Sequence, residues 1–377
     1  LKQFYFCNQS NKIKAIHGKG IWMNEQRLSR VRRLMEEQGL EQIIVSATAS
    51  VYYLTGLWVS PMERMLALYI TQKDCALYAN ELFGLEPQSG LELILHSDGD
   101  EPTAQLSRRL LPGKLGVDKF WPSKFLIALL EARGDLVPVQ GSAPVDQARM
   151  YKDAQEIEAM RRASQVNDMV MEQVILALKE GAKEREIAAL AEELYRQNGG
   201  DRGEGLIVSF GANCADPHHG PGDAVMAPGD SVVLDLFMPI GRYWCDMTRT
   251  VFFRQADEEQ RRVYQAVLEA NLAAEALLRP GVPLRQVDRA ARQVIEEAGY
   301  GSYFTHRLGH GCGLECHEPP DNSAASQAVA QPGMVFSVEP GIYLPGRFGA
   351  RIEDLVLLTE DGCEVLNKLP KTLQIIE

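Results

Sequence analysis

Long apolar runs are missing from this 377-residue chain: every stretch approaching the 18 or so residues that span a bilayer is cut by charge, Gly or Pro. We therefore expect no membrane-spanning helix and no membrane partner. Positive charge is also in deficit. Lys and Arg total 39 against 51 Asp and Glu, a formal net charge of −12, which argues against a nucleic-acid partner held by phosphate neutralisation. Cysteine is sparse, seven in all, without the dense spacing of a small disulfide scaffold, so reduced thiols and a cytoplasmic location are expected. With 45% hydrophobic and 24% charged residues, the composition excludes disordered and low-complexity architectures, and the length predicts two folded domains.

Residues 1–22 carry Lys2, Lys12, Lys14 and Lys19 without an acidic residue or an initiating Met. They read as an appended or out-of-frame extension, with Met23 as the natural start. From residue 23 to about 145, short strands and helices alternate between Gly39, Gly56, Gly90 and Gly113, predicting a small α/β domain. GSAPVD (141–146) is the linker candidate, and Asp153 with Glu156 reads as a helix-starting cap opening a second domain over 148–377. Within that domain an offset of 100 residues aligns Gly181 with Gly281, Arg185 with Arg285, Ala191 with Ala291 and Gly199 with Gly299. Two amphipathic helices can match by coincidence. The alternative is a duplicated helix-pair and strand unit meeting at a pseudo-twofold axis, where a shared cleft suits an active site.

Strands 231–238 and 242–253 flank Ile240 and Gly241, a spacing that predicts a hairpin with Asp235 directly across from Asp246. Opposed residues on one face lie about 4.5–5.5 Å apart at Cβ, where like charges repel. A solvated edge or a shifted register would relieve that pair. Strands 334–344 and 350–358 around Pro345 and Gly346 set Glu339 opposite Glu353 in the same way, each within an apolar run (MVFSVEPG, ARIEDLVLL). A buried carboxylate without a partner costs several kcal/mol. Two divalent cations balance four carboxylates, and an oxygen-rich shell with an imidazole suits Mn, Co, Fe or Zn. Five of the seven histidines, His218, His219, His306, His310 and His317, fall between 218 and 317. In LGHGCGLECHE (308–318) the glycines leave room for close backbone approach to a metal or substrate, while Cys312 and Cys316 with His310 and His317 offer a rival thiolate zinc site.

In order and spacing, ADPHHG, VVLDLF, CDMTRT, LGHGCGLECHE, SVEPGIY and RIED make the chain from about residue 148 onward similar to the metallopeptidase family with the pita-bread fold, in its Xaa-Pro dipeptidase and Xaa-Pro aminopeptidase branch. Residues 23 to 145, including SVYYLTG (50–56), resemble that branch's creatinase-type N-terminal domain. The resemblance implies an α/β creatinase-like domain followed by an α+β pita-bread catalytic domain with an internal pseudo-twofold repeat. It implies five metal ligands, Asp235, Asp246, His310, Glu339 and Glu353, holding two divalent ions, manganese first, with Co, Zn or Fe as alternatives. Glu339 would also shuttle the proton of a water shared by the two ions. His218 and His317 would bond the substrate amide and oxyanion, and Arg351 would pair with the carboxylates or a substrate terminus. His306 and Tyr343 fall where the branch lines its substrate pocket. Thr248 would support Asp246, and His219 is left unassigned. The implied enzyme is a metallo-exopeptidase that cuts a small peptide substrate between an N-terminal residue and proline, and a homodimer. An Xaa-Pro aminopeptidase acting on longer peptides, or a metal-free peptide-binding module, are the alternatives.

Overall fold

A computed structural model describes residues 23–87, 89–201 and 205–377; the expected extension lies outside them. The chain divides into two compact units at Val145/Asp146. In the first, helix α1 (Glu25–Glu37) starts where the Asn24 side chain accepts from the Arg27 N–H, and it buries Leu28, Val31 and Met35 at helical spacing. Strands β1 (Gln42–Val45), β2 (Ala67–Thr71), β3 (Cys75–Asn80), β4 (Glu92–His96), β5 (Gly113–Val117) and β6 (Leu136–Gln140) form one mixed sheet in the order β4-β3-β2-β1-β5-β6. Helices α2 (Thr48–Thr55), α3 (Pro102–Ser107) and α4 (Ser123–Ala132) connect them. The segment expected as a linker instead enters helix α5 (Ala143–Met150); Pro144 sits in its first turn, where a missing N–H costs nothing.

The second unit is built twice. Helices α6 (Ala154–Ala177) and α7 (Glu184–Gln197) precede β7 (Ile207–Phe210), β8 (Ser231–Ile240) and β9 (Tyr243–Phe253). Helices α8 (Glu258–Leu277) and α9 (Leu284–Glu297) precede β10 (Gly309–Gly311), β11 (Glu318–Asn322), β12 (Val335–Val338), β13 (Gly341–Leu344), β14 (Phe348–Arg351), β15 (Asp354–Leu358), β16 (Cys363–Val365) and β17 (Ile375–Ile376). The bounds of α7 and α9 differ by the offset of 100 read in the sequence. Gly181 and Gly281 share a left-handed φ of 82° and 89°, and Gly199 and Gly299 share 83° and 86°. Coincidence between helices does not produce matched turns at both ends. Both long helices open with a capping box, Asp153 with Glu156 and Asp257 with Gln260. Each pair of helices packs its own apolar core against its own strands, around Val170, Tyr195 and Leu234 in one half and around Val267, Ile295 and Phe336 in the other.

The β8–β9 turn differs from expectation by one position. Its two central residues are Gly241 and Arg242, with φ 58° and 81°, and Ile240 pairs with Tyr243. Positive φ at both is the twist-matched hairpin turn. Asp235 therefore pairs with Thr248, and Asp246 with Phe237. The two aspartates share a face diagonally rather than head to head. In the other half, extending the Val338 and Asp354 pairing by one residue sets Glu339 opposite Glu353, as expected. There the ladder breaks: Pro340 has no N–H to give, and the glutamate N–H groups donate to neighbouring segments instead, Glu339 to the Leu308 carbonyl at 2.8 Å and Glu353 to the Thr248 carbonyl at 3.1 Å.

The glycines around His310 serve the protein itself and not a metal or substrate. A Cβ at Gly309 would lie 2.0 Å from the Ser337 carbonyl oxygen, one at Gly311 2.3 Å from the Glu318 carbonyl, and one at Gly313 2.4 Å from the Glu318 carboxylate. Gly309→Ala should therefore force β10 off β12 and destabilise the protein by about 2 kcal/mol or more, seen as a lowered midpoint in urea at unchanged slope; an unchanged midpoint would refute the close approach.

Candidate metal centre

Five side chains from different segments line one cavity of about 420 Å³: Asp235 of β8, Asp246 of β9, His310 of β10, and Glu339 and Glu353 from the breaks flanking β13 and β14. Ligand atoms of Asp246, His310 and Glu353 lie within 4.8 Å of one another. His310 Nε2 is 3.4 Å from Glu339 Oε1 and 3.7 Å from Asp246 Oδ2. Asp235, Asp246, His310 and Glu353 are all buried, with Glu339 partly open to the cavity.

Electrostatically the cluster is unbalanced. Burial, reinforced by the neighbouring carboxylates, pushes the Asp246 and Glu353 carboxyls well above the ordinary range. Burial raises Glu339 to about 7, with Arg351 opposing and Asp235 reinforcing. Burial drives His310 down to about 3, so its ring is neutral. Its Nδ1 lies 3.1 Å from the Gly311 carbonyl and carries the hydrogen, which turns the Nε2 lone pair toward two carboxylates. A lone pair facing carboxylate oxygens is tolerable only with a cation or a proton between them. Asp235 Oδ1 and Asp246 Oδ1 are buried without a hydrogen-bond partner. This donor set fits divalent metal ions bound by oxygen and one imidazole.

One buried guanidinium organises the surroundings. Arg351 donates to Asp235 Oδ2 at 2.8 Å, to the Tyr343 hydroxyl at 2.8 Å, to Thr248 Oγ1 at 3.0 Å and to the Pro217 carbonyl at 3.3 Å. It pairs with the Asp235 carboxylate, one of the two roles expected of it, and it also lines the cavity. Thr248 does not support Asp246: its hydroxyl donates to Glu353 Oε2 at 2.7 Å, because the hairpin register places it across from Asp235 and facing the second half. Tyr343 stands behind the cavity wall instead of lining it, donating to His306 Nε2 at 2.8 Å; His306 lines the cavity, its Nδ1 2.7 Å from the Arg307 carbonyl. His218 and His317 project into the cavity, and the His317 ring packs on His310 with centroids 4.1 Å apart.

Other contacts carried no local signal in the sequence. Ser337 Oγ donates to Glu339 Oε1 at 3.1 Å. His219 Nε2 meets the buried Glu184 carboxylate at 2.9 Å, and that carboxylate also accepts from the N–H groups of Phe210 and Gly222 and from Asn213, clamping the segment that presents His218. The rival thiolate site is not assembled. Cys312 is buried with its thiol toward the Trp244 carbonyl at 3.6 Å, while Cys316 reaches Asp246 Oδ2 at 3.4 Å. Burial pushes both thiols far up.

Comparison with known proteins settles the family. Residues 158–360 match the model of metallopeptidase family M24, and residues 27–151 that of the creatinase/prolidase N-terminal domain. The chain belongs to metallopeptidase family M24. Its two units are accordingly a creatinase-like N-terminal domain and a pita-bread catalytic domain. It is similar to a putative dipeptidase, YkvY, of Bacillus subtilis, at 34% identity over 93% of this chain and 99% of that one. It is also similar to a probable dipeptidase, PepE, of Mycobacterium tuberculosis, at 36% identity over 93% and 96%. Among solved structures, a prolidase from Thermococcus sibiricus is 32% identical and covers 93% of this chain and 98% of its own, with a TM-score of 0.88. This M24 enzyme is a dipeptidase- and prolidase-like hydrolase dependent on divalent metal. Among the described residues no helix is long and apolar enough to cross a membrane.

The raised carboxyls give a signed pH prediction. A group whose folded pKa exceeds its unfolded value favours the folded state at low pH and loses that contribution as pH rises; for Glu339 the window runs from its ordinary value of 4.5 to about 7. Metal-free protein should lose stability across that window, and saturating Mn²⁺ should reverse the loss. The gap in melting temperature between Mn-loaded and EDTA-treated protein should therefore widen from about pH 5 to about pH 7.5; a gap that narrows contradicts the charge imbalance.

Proposed function

We propose that the chain is an Xaa-Pro dipeptidase, hydrolysing the bond between an N-terminal residue and proline, with two divalent cations held by Asp235, Asp246, His310, Glu339 and Glu353. One observation carries this reading: these five groups meet in one cavity with more negative charge than Arg351 offsets. The chain also matches, nearly end to end, proteins named dipeptidase and prolidase. Manganese is the expected metal, on the hard oxygen character of the donors.

Cations bound there supply Lewis acidity toward the attacking water and the scissile carbonyl. The protein's own groups do the rest. Glu339 is the cluster's carboxylate most open to the cavity, its Oε1 fixed by Ser337; it takes the water's proton and returns it to the leaving nitrogen. His218 and His317, exposed on the cavity wall, hydrogen-bond the substrate amide and the developing oxyanion. His306, its pKa pushed down to about 4 mainly by burial, offers a neutral ring to the substrate. A free substrate amine would reach the metals or the acids around them, which makes the enzyme an exopeptidase. The cavity, about 420 Å³, has the size of a small-molecule site and is large enough for a dipeptide.

Mn-loaded protein should hydrolyse Ala-Pro and leave Ala-Pro-Pro-Ala largely intact. Turnover of the tetrapeptide alone would replace this reading with an Xaa-Pro aminopeptidase, and turnover of neither would sink both. Single His218→Ala and His317→Ala variants should lower kcat by about 10²–10³-fold if each bonds the transition state, with metal content unchanged by elemental analysis.

A further inference from the structure

The internal repeat supplies a comparison of the centre's two halves. Asn167 of α6 and Asn271 of α8 occupy the same position from the starts of their helices, and both are wholly buried. Asn167 Nδ2 donates to the Leu236 carbonyl at 3.1 Å, and Asn271 Nδ2 to the Val338 carbonyl at 2.9 Å. Leu236 follows Asp235 and Val338 precedes Glu339. Each half thus ties the backbone beside a metal-facing carboxylate to its long helix through one amide.

What holds each amide differs. Asn167 Oδ1 accepts from the Tyr195 hydroxyl at 2.6 Å. The repeat-related residue to Tyr195 is Ile295, which is buried and has no donor. Asn271 Oδ1 instead accepts from Lys371 Nζ at 2.7 Å, an ammonium brought in by the C-terminal segment. That segment is held in place: Tyr264 donates to the Lys371 carbonyl at 2.9 Å, and the Phe252 N–H to the Gln374 carbonyl at 3.0 Å.

The ammonium has two further partners. It bonds Glu275 Oε1 at 2.6 Å and lies 2.8 Å from Asp354 Oδ2, a charge contact off the hydrogen-bond axis. Asp354 is fully buried and follows Glu353 directly. Its other oxygen takes Arg249 Nη2 at 2.7 Å, and Arg249 Nη1 donates to the Glu353 carbonyl at 2.7 Å. One cation therefore reaches the chain neighbours of both glutamates, Val338 through Asn271 and Asp354 by contact.

We propose that Lys371 is a positioning residue for the glutamate half of the metal centre, setting Glu339 and Glu353 through Asn271 and Asp354 as Tyr195 sets Asp235 through Asn167. The inference rests on reading those carboxylates as metal ligands. Groups that orient ligands typically change metal affinity 10- to 100-fold when removed.

The test titrates chelator-treated protein with Mn²⁺, following affinity and stoichiometry by calorimetry and the spin-coupled Mn pair by electron paramagnetic resonance. Wild type binding two ions supports the ligand reading; wild type binding none overturns that reading, and this inference with it. Given two ions in wild type, Lys371→Met should weaken Mn²⁺ binding at least about tenfold and diminish the coupled-pair signal, and Lys371→Arg should restore part of both. Should Lys371→Met fail to fold by circular dichroism, Asn271→Ala, which leaves every charge paired, carries the test with the same expected tenfold loss. Where both fold, the double variant should be no weaker than the weaker single one. Folded Asn271→Ala with wild-type Mn²⁺ affinity, or losses that simply add, would overturn the proposal.

Discussion

Four carboxylates drawn from β8, β9 and the breaks beside β13 and β14 converge on a cavity in which Arg351 is, among the described residues, the single buried guanidinium lining it. Like charges so close are unstable without compensation, and the rest of the catalytic unit is arranged around that problem. Arg351 neutralises one aspartate, Thr248 and Ser337 each bond one glutamate, and His310 presents a neutral nitrogen to Asp246 and Glu339. What remains unbalanced is the part divalent ions would neutralise.

Duplication explains how such a cluster is brought together. A hairpin or paired-strand unit places two carboxylates on one face, and a second copy supplies the other two. The backbone changes where they meet: the Glu339 and Glu353 N–H groups leave their own ladder for Leu308 and Thr248, joining the strands that carry His310 and Asp246 to those of the glutamates. Asymmetry enters at the supports. A tyrosine of α7 holds one amide and a lysine from the C-terminal segment holds the other.

Much of this was legible in the sequence because strands have a period of two. The β8–β9 turn lies one residue later than the spacing predicts, which moves the pairing by two and leaves every side chain on its proper face. Asp235 and Asp246 are thus neighbours in either register although their direct partners differ, while Thr248, which the resemblance gives to Asp246, bonds Glu353 across the two halves. Glu339 and Glu353 stand opposite each other, as their spacing predicts, because both flanking ladders keep one register across the break. Less visible were contacts between polar residues far apart in the chain: Glu184 with His219, and Asn271 with Lys371. No periodicity marks them; each is fixed only once the helices have packed. The glycines of LGHGCGLECHE are the close-approach positions the sequence predicts, and Ser337 and Glu318 are what approaches them.

The central claim is that the convergent carboxylates and His310 exist to hold two cations. Its most direct test is an anomalous-difference map from crystals grown with Mn²⁺, collected at the manganese edge. Two peaks within bonding distance of Asp235, Asp246, His310, Glu339 and Glu353 are the predicted result. A map with no peak among them, or with density at Cys312 and Cys316 instead, would contradict the account.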